Sequence, residues 1–184
     1  MSKKVLVLLA EGFEEVETVT PITYLRRAGV EVTTAAIGGQ LTVRGARRVQ
    51  QTADTTLAEA GGVGDWDAVV IPGGLPGATN LAACEKTGAL LKDMANAGKL
   101  VCAICASPAV VLAPLGLLAG RKFTCYPGME EKVTDGQWLE KRVVVDGNII
   151  TSRAAGTAGE FSIAIIEQLL DEETAKKIAD TVLL

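Results

Sequence analysis

The sequence predicts an α/β fold: a doubly wound, mostly parallel sheet with helices on both faces, forming a single domain over residues 1–184. Three observations carry this prediction. Short runs of β-branched and aliphatic residues are apolar throughout, as strands covered on both faces must be. Helical patterns about a dozen residues long alternate with these runs, the order expected of βαβ units. The 184 residues are 48% hydrophobic but only 4% aromatic, so Val, Leu, Ile and Ala must fill the core. A chain of this length buries enough surface to fold without disulfide or metal staples.

The strand-like runs are residues 5–9, 30–36, 68–71, 100–104 and 148–151. The first helical pattern, 14–28, ends at Gly29, a residue suited to the left-handed turn after a helix. Pro21 lies inside it and predicts a kink or a separate first turn. Residues 85–97 form a second helix stopped by Gly98. Residues 108–118 read as a third, apolar enough to be buried, and 159–170 as a fourth with Phe161, Ile165, Ile166 and Leu169 on one stripe. Residues 171–183 close the chain, with Glu172 and Glu173 four residues before Lys176 and Lys177, a solvated face. Residues 40–56 are polar around Gly45 and read as a small β-ribbon. No repeat, linker or composition shift divides the chain.

The charge balance, 18 basic against 22 acidic residues for a net charge of −4, argues against nucleic acid as a partner, since such binding needs a basic face. Arg44, Arg47 and Arg48 form the one basic cluster, read as a solvated turn. No window reaches the roughly 18 apolar residues of a membrane span, and residues 5–10 are too short for a signal segment. Four cysteines in such a chain are expected as reduced thiols, which points to the cytoplasm. Histidine is absent. Cys-His, Ser-His-Asp and His-metal chemistry are therefore excluded, and acid/base work falls to a perturbed carboxylate, a thiol, a lysine or water.

In a parallel α/β sheet three strand ends converge on one edge. The first, Ala10-Glu11-Gly12-Phe13-Glu14-Glu15-Val16-Glu17, runs into an acidic helix start. The second, Ile71-Pro72-Gly73-Gly74, leaves backbone N–H groups free for a ligand or an oxyanion. The third, Ala103-Ile104-Cys105-Ala106-Ser107-Pro108, has the small-x-Cys-x-small pattern of a strand-to-helix elbow. The amino end of the following helix would favour the Cys105 thiolate, although the pattern alone fits an inert buried cysteine equally well. Cys102 and Cys105 make a C-x-x-C pattern, but three residues of strand hold their Cα atoms roughly 10 Å apart, beyond disulfide reach. Cys84 reads as a helix residue without a role, and Cys125 as the end of a strand over 122–125. The acidic run matches no calcium loop. A solvated helix start is its ordinary meaning, unless one Glu turns inward, where burial would keep it protonated beside a thiol.

Together these segments resemble the ThiJ/PfpI superfamily, in particular the branch of the parkinsonism-linked protein deglycase and its bacterial relatives. Glu14-Glu15-Val16-Glu17-Thr18, Ile71-Pro72-Gly73-Gly74, Ala103-Ile104-Cys105-Ala106 and Thr151-Ser152-Arg153 with Gly156-Thr157 carry the resemblance, which covers nearly the whole chain. It implies a flavodoxin-like fold assembled as a homodimer, without a cofactor or metal. It also implies Cys105 as a low-pKa, oxidation-sensitive nucleophile with Glu17 as its hydrogen-bonded acid. Gly74 and Ala106 would supply backbone donors, and Gly73, Arg47, Tyr126 and Glu14 would line the cleft. Two departures stand out. Tyr126 occupies the position where the branch often has a histidine before proline, and Arg153-Ala154-Ala155-Gly156 replaces a Gly-Pro-Gly loop.

The resemblance implies a glutathione-independent glyoxalase or protein deglycase acting on methylglyoxal-type α-oxoaldehydes or glycated protein. The alternative is a non-enzymatic redox sensor or redox-regulated chaperone working through oxidation of Cys105. A flavodoxin-like nucleotide binder is the third possibility, but Pro72-Gly73-Gly74 carries neither a Walker lysine nor a dinucleotide fingerprint.

Overall fold

A computed structural model describes residues 2–184. Its seven-stranded sheet contains β1 (Lys4–Leu9), β2 (Glu31–Ala36), β5 (Thr55–Thr56), β6 (Ala68–Ile71), β7 (Leu100–Ile104), β10 (Val143–Asp146) and β11 (Ile149–Ser152). The spatial order is β10-β11-β7-β6-β1-β2-β5. Every pairing is parallel except the edge hairpin of β10 and β11. Two small ribbons accompany it: β3 (Thr42–Arg44) with β4 (Gln50–Thr52), antiparallel as the polar 40–56 stretch predicts, and β8 (Lys122–Phe123) with β9 (Gln137–Trp138).

Alternation along the central strands explains why both faces are covered. Leu6, Leu8, Val69, Ile71, Val101 and Ala103 join one buried layer, with Leu81, Leu91 and Met94 from α2 (Gly77–Ala83) and α3 (Glu85–Asn96). Val5, Val7, Val70, Cys102 and Ile104 point the opposite way. They pack with Ile22 and Leu25 of α1 (Glu15–Arg27), Phe161 and Ile165 of α4 (Ala158–Leu169), and Ile178 of α5 (Glu172–Val182). Period-2 side chains on a doubly covered sheet leave no polar face, which is why the strand runs read as continuous apolar blocks.

Four local expectations are corrected. The predicted helix over 108–118 is a π-type turn, Pro108–Leu112, followed by a 3₁₀ turn, Ala113–Leu115. Pro114 has no N–H to donate to the carbonyl four residues back, so the α-helical ladder is interrupted at this turn. The expected strand over 122–125 shortens to Lys122–Phe123. Cys84 lies in the extended joint between α2 and α3, not within a helix. α1 runs as one element through Pro21, so a separate first turn does not form.

From β1 the chain crosses through α1 to β2, whereas β6 leads the other way, to β7. The gap between β1 and β6 is therefore the topological switch point, where open α/β sheets place their sites.

Candidate active site

The loops after β1, β6 and β7 are stitched together by backbone bonds. The Glu14 N–H donates to Gly73 O at 3.0 Å and Gly77 N–H to Gly12 O at 3.2 Å, while Cys105 N–H donates to Ser152 O at the end of β11 at 3.0 Å. The buried Ser107 hydroxyl donates to Pro72 O at 2.5 Å, tying the third loop to the second. Gly74 has φ +88, and a Cβ there would sit 2.5 Å from Glu14 N and Gly12 O. Only glycine allows this approach.

Cys105 follows the last residue of β7 at φ +65. A non-glycine residue in this region costs about 1–3 kcal/mol and persists only where its surroundings enforce it. The elbow foreseen from the small-x-Cys-x-small pattern is thus present. Gly73 lies directly behind it: a Cβ on Gly73 would be 2.6 Å from both Cys105 Cβ and Glu17 Oε2.

Glu14 caps α1 by accepting the Glu17 N–H at 2.7 Å, and Glu17, one turn in, points away from water. It is 1% exposed. Its carboxyl accepts the Gly73 N–H at 2.9 Å and the Ala155 N–H, and is hydrogen-bonded to the Cys105 side chain. Burial pushes this carboxyl from its ordinary 4.5 up to about 7, with Glu14 adding to the rise and the hydrogen bonds opposing it.

The amides of Gly74 and Ala106 face the Cys105 sulfur. They pull the thiol pKa down, but burial and the neighbouring Glu17 outweigh them and push it up to about 12. The expected low-pKa thiol is therefore corrected. The helix that was to stabilise it is a single irregular turn, and its nearest charge is an anion. Two buried anions in contact are mutually unfavourable, so one proton is shared between sulfur and carboxyl. Thiolate is favoured where Glu17 carries that proton, because protonation removes the repelling charge and leaves the two amides opposed by burial alone.

A cavity of about 420 Å³ opens over this pair, and Cys105, Glu17, Glu14, Gly74, Ala106, Arg47 and Tyr126 all line it. Gly73, expected to line the cleft, is corrected: it does not border the cavity but packs behind Cys105 and Glu17, where a side chain would not fit. The sequence reading missed Ala46, Leu75 and Met129 on the walls, and Glu15, whose buried Oε1 accepts the Arg47 N–H at 2.6 Å and so seats the β3–β4 turn at the cavity mouth. It also missed the use of the late loop. Ser152 and Thr157 hydroxyls meet at 2.7 Å and Thr157 Oγ1 accepts the Ala154 N–H at 3.1 Å, which holds Ala155 against Glu17. The Thr-Ser-Arg and Gly-Thr residues were the available signal.

All four cysteines are free, and Cys102 is buried within β7. Among the described residues, no group of three or more His, Cys, Asp or Glu side chains is placed to hold a metal ion. No helix among them is long and apolar enough to cross a membrane.

Residues 3–168 match the model of the DJ-1/PfpI family. The chain belongs to the DJ-1/PfpI family. It is 44% identical over 180 residues to the protein DJ-1 homolog A of Arabidopsis thaliana, covering 98% of this chain and 46% of that protein, so it spans less than half the length of that relative. It is 36% identical over 179 residues to a Caenorhabditis elegans protein named glutathione-independent glyoxalase DJR-1.2, covering 96% of this chain and 94% of that one. Its fold superposes on the crystal structure of Drosophila melanogaster DJ-1beta with a TM-score of 0.95 and 41% identity, over 100% of this chain and 99% of the other. The DJ-1/PfpI resemblance read from four short motifs thus extends through the whole fold.

Proposed function

We propose that the protein is a cofactor-free, glutathione-independent glyoxalase or protein deglycase acting on methylglyoxal-type α-oxoaldehydes or their early adducts. The observation that carries this reading is the contact between Cys105 and a buried Glu17 whose carboxyl lies at about 7, within one cavity. A nucleophile paired with a proton carrier poised near neutrality suits a reaction that needs both.

Cys105 thiolate attacks the aldehyde carbon and Glu17 gives its proton to the new alkoxide, forming a hemithioacetal. The Gly74 and Ala106 amides, freed as the sulfur loses its charge, stabilise that oxygen. Glu17, now a carboxylate, takes the proton from the same carbon and returns it to the neighbouring one. The resulting 2-hydroxy thioester is hydrolysed by water, which from methylglyoxal yields lactate and restores the thiol. The similarity to a relative named as a glyoxalase supports this chemistry.

The test is lactate formation from methylglyoxal without glutathione. Turnover by the native chain should fall at least about 10³-fold in Cys105→Ser, the scale seen when a nucleophile is removed. Equal activity in both proteins refutes the mechanism.

The working form is proposed to be a homodimer. Val16 and Val19, three residues apart on α1, and Val49, whose N–H faces Glu15 at 3.4 Å, are each about half exposed. Grouped apolar exposure of this kind fits a self-complementary contact beside the site. Free thiols throughout support a reducing compartment such as the cytoplasm.

A further inference from the structure

We propose that Tyr126 is a catalytic residue, its phenol O–H donating a hydrogen bond to the substrate ketone oxygen as charge collects there. The inference rests on the oxoaldehyde reading and deepens it.

An α-oxoaldehyde presents two oxygens. The aldehyde oxygen, left on the carbon that sulfur attacks, has the Gly74 and Ala106 amides beside it. The ketone oxygen has no such provision. The Gly73 and Ala155 amides are committed to Glu17, the Arg47 N–H to Glu15, and Glu14 accepts at the helix start. Ala46, Leu75, Met129, Ala154 and Ala155 offer no side-chain donor. Among the cavity-lining side chains, Tyr126 and Arg47 are the remaining donors.

Tyr126 is the better placed of the two. Its backbone N–H donates to the carbonyl of Cys105 itself at 2.8 Å, so the base of its ring moves with the nucleophile. Arg47 stands on the β3–β4 turn, exposed, at the end of a long flexible side chain. Tyr126 as a residue is 48% exposed and lines the largely apolar cavity. Its hydroxyl has no hydrogen-bond partner among the described residues. With no histidine anywhere in the chain, a phenol here supplies the donor the reaction lacks.

The step balances without a further reactant. Glu17 removes the hydrogen of the thio-bearing carbon as a proton, and that C–H pair becomes the carbon–carbon π bond. The ketone π pair moves onto its oxygen, where the Tyr126 O–H holds it. Glu17 then returns the proton to the former ketone carbon, and the hydroxyl proton of the thio-bearing carbon passes to the held oxygen. The phenol keeps its own proton and acts by lowering the energy of the enolate.

The experiment measures kcat and KM for lactate formation from methylglyoxal in the full chain as native protein, Tyr126→Phe, Tyr126→His and Arg47→Met. Alkylation of Cys105 by iodoacetamide is followed in each. Tyr126→Phe keeps the ring, so a purely packing role leaves it active. The expected result is a fall in kcat of about 10²-fold, the scale of one lost oxyanion donor, with KM changed less than about 3-fold and alkylation unchanged. Tyr126→His, which restores a donor, should recover most of the loss. Native kcat in Tyr126→Phe overturns the proposal. So does a loss that histidine does not recover, or a loss confined to Arg47→Met. A native protein without turnover defeats the oxoaldehyde reading itself, a result distinct from any of these.

Discussion

The two edges of one sheet treat a carboxylate in opposite ways. At the amino edge Asp67 accepts the Lys4 N–H at 2.9 Å and stands 3.6 Å from Lys3 and 3.8 Å from Lys99. Its modest burial raises its pKa, but the amide and the two ammonium groups more than offset that, and it is held below its ordinary value. At the carboxyl edge Glu17 also accepts backbone N–H bonds, yet it rises to about 7 because it is buried and its nearest charged neighbour, Glu14, is an anion. Hydrogen bonds to the charged form are common to both; solvent and the sign of the neighbours decide the outcome. The first edge is a solvated electrostatic seam, and the second holds a proton ready to move.

The largest effect expected is at Glu17. Glu17→Gln should lose about 10²–10⁴-fold in turnover, the range for general acid–base groups. In the native protein, turnover and alkylation of Cys105 should rise with pH through about 7, as the first of the pair's two protons leaves and the shared one remains. This limb should vanish in the variant, and its persistence would place the ionisation elsewhere. The same substitution should stabilise. A carboxyl with a folded pKa raised from 4.5 to about 7 binds a proton more tightly in the folded state. Its contribution is therefore fully present below about 4.5 and is lost as pH rises to 7. Over that window the native protein should lose about 3 kcal/mol relative to Glu17→Gln, measurable as diverging Tm values.

Next in size is Gly74→Ala. Its Cβ would meet Glu14 N and Gly12 O at 2.5 Å in a φ +88 conformation, so the two loops must part. A loss of about 2–4 kcal/mol in denaturant unfolding, together with lost turnover, is expected. Unchanged stability would show that the loop contact is dispensable.

The smallest effect belongs to the other edge. Asp67→Asn removes the charge facing Lys3 and Lys99, partly exposed pairs worth about 1 kcal/mol or less. Because Asp67 is held below its ordinary value, its contribution is present above about pH 4 and lost as pH falls further. Turnover should not change. A loss of activity here would break the separation of the two edges.

Much of this arrangement was legible in the chain. Continuous apolar runs located the central strands because a strand buried on both faces cannot alternate with polar residues. The small residues around Cys105 gave the elbow because a sharp turn excludes bulk. The edge hairpin escaped, although Val145-Asp146-Gly147-Asn148 carries an Asp-Gly turn signal and Gly147 adopts φ +58. The 108–118 helix was misjudged because apolar periodicity outweighed Pro114.

The sequence by itself determined the fold class, the convergence of three loops and the elbow at Cys105. These follow from local sterics and periodicity, which act within a few residues of the chain. The family resemblance added seven of the residues that line the cavity. The resemblance singled out Glu17 as the acid; only the tertiary structure decided that it is buried against Cys105 while Glu15 is buried towards the β3–β4 turn, that Ala155 and Gly73 hold Glu17 there, and that the Cys105 thiol is pushed up. A pKa depends on what surrounds a group from every direction. At this site the surroundings come from β6, β7, α1 and the loop after β11, segments spread from residue 15 to residue 157 of the chain.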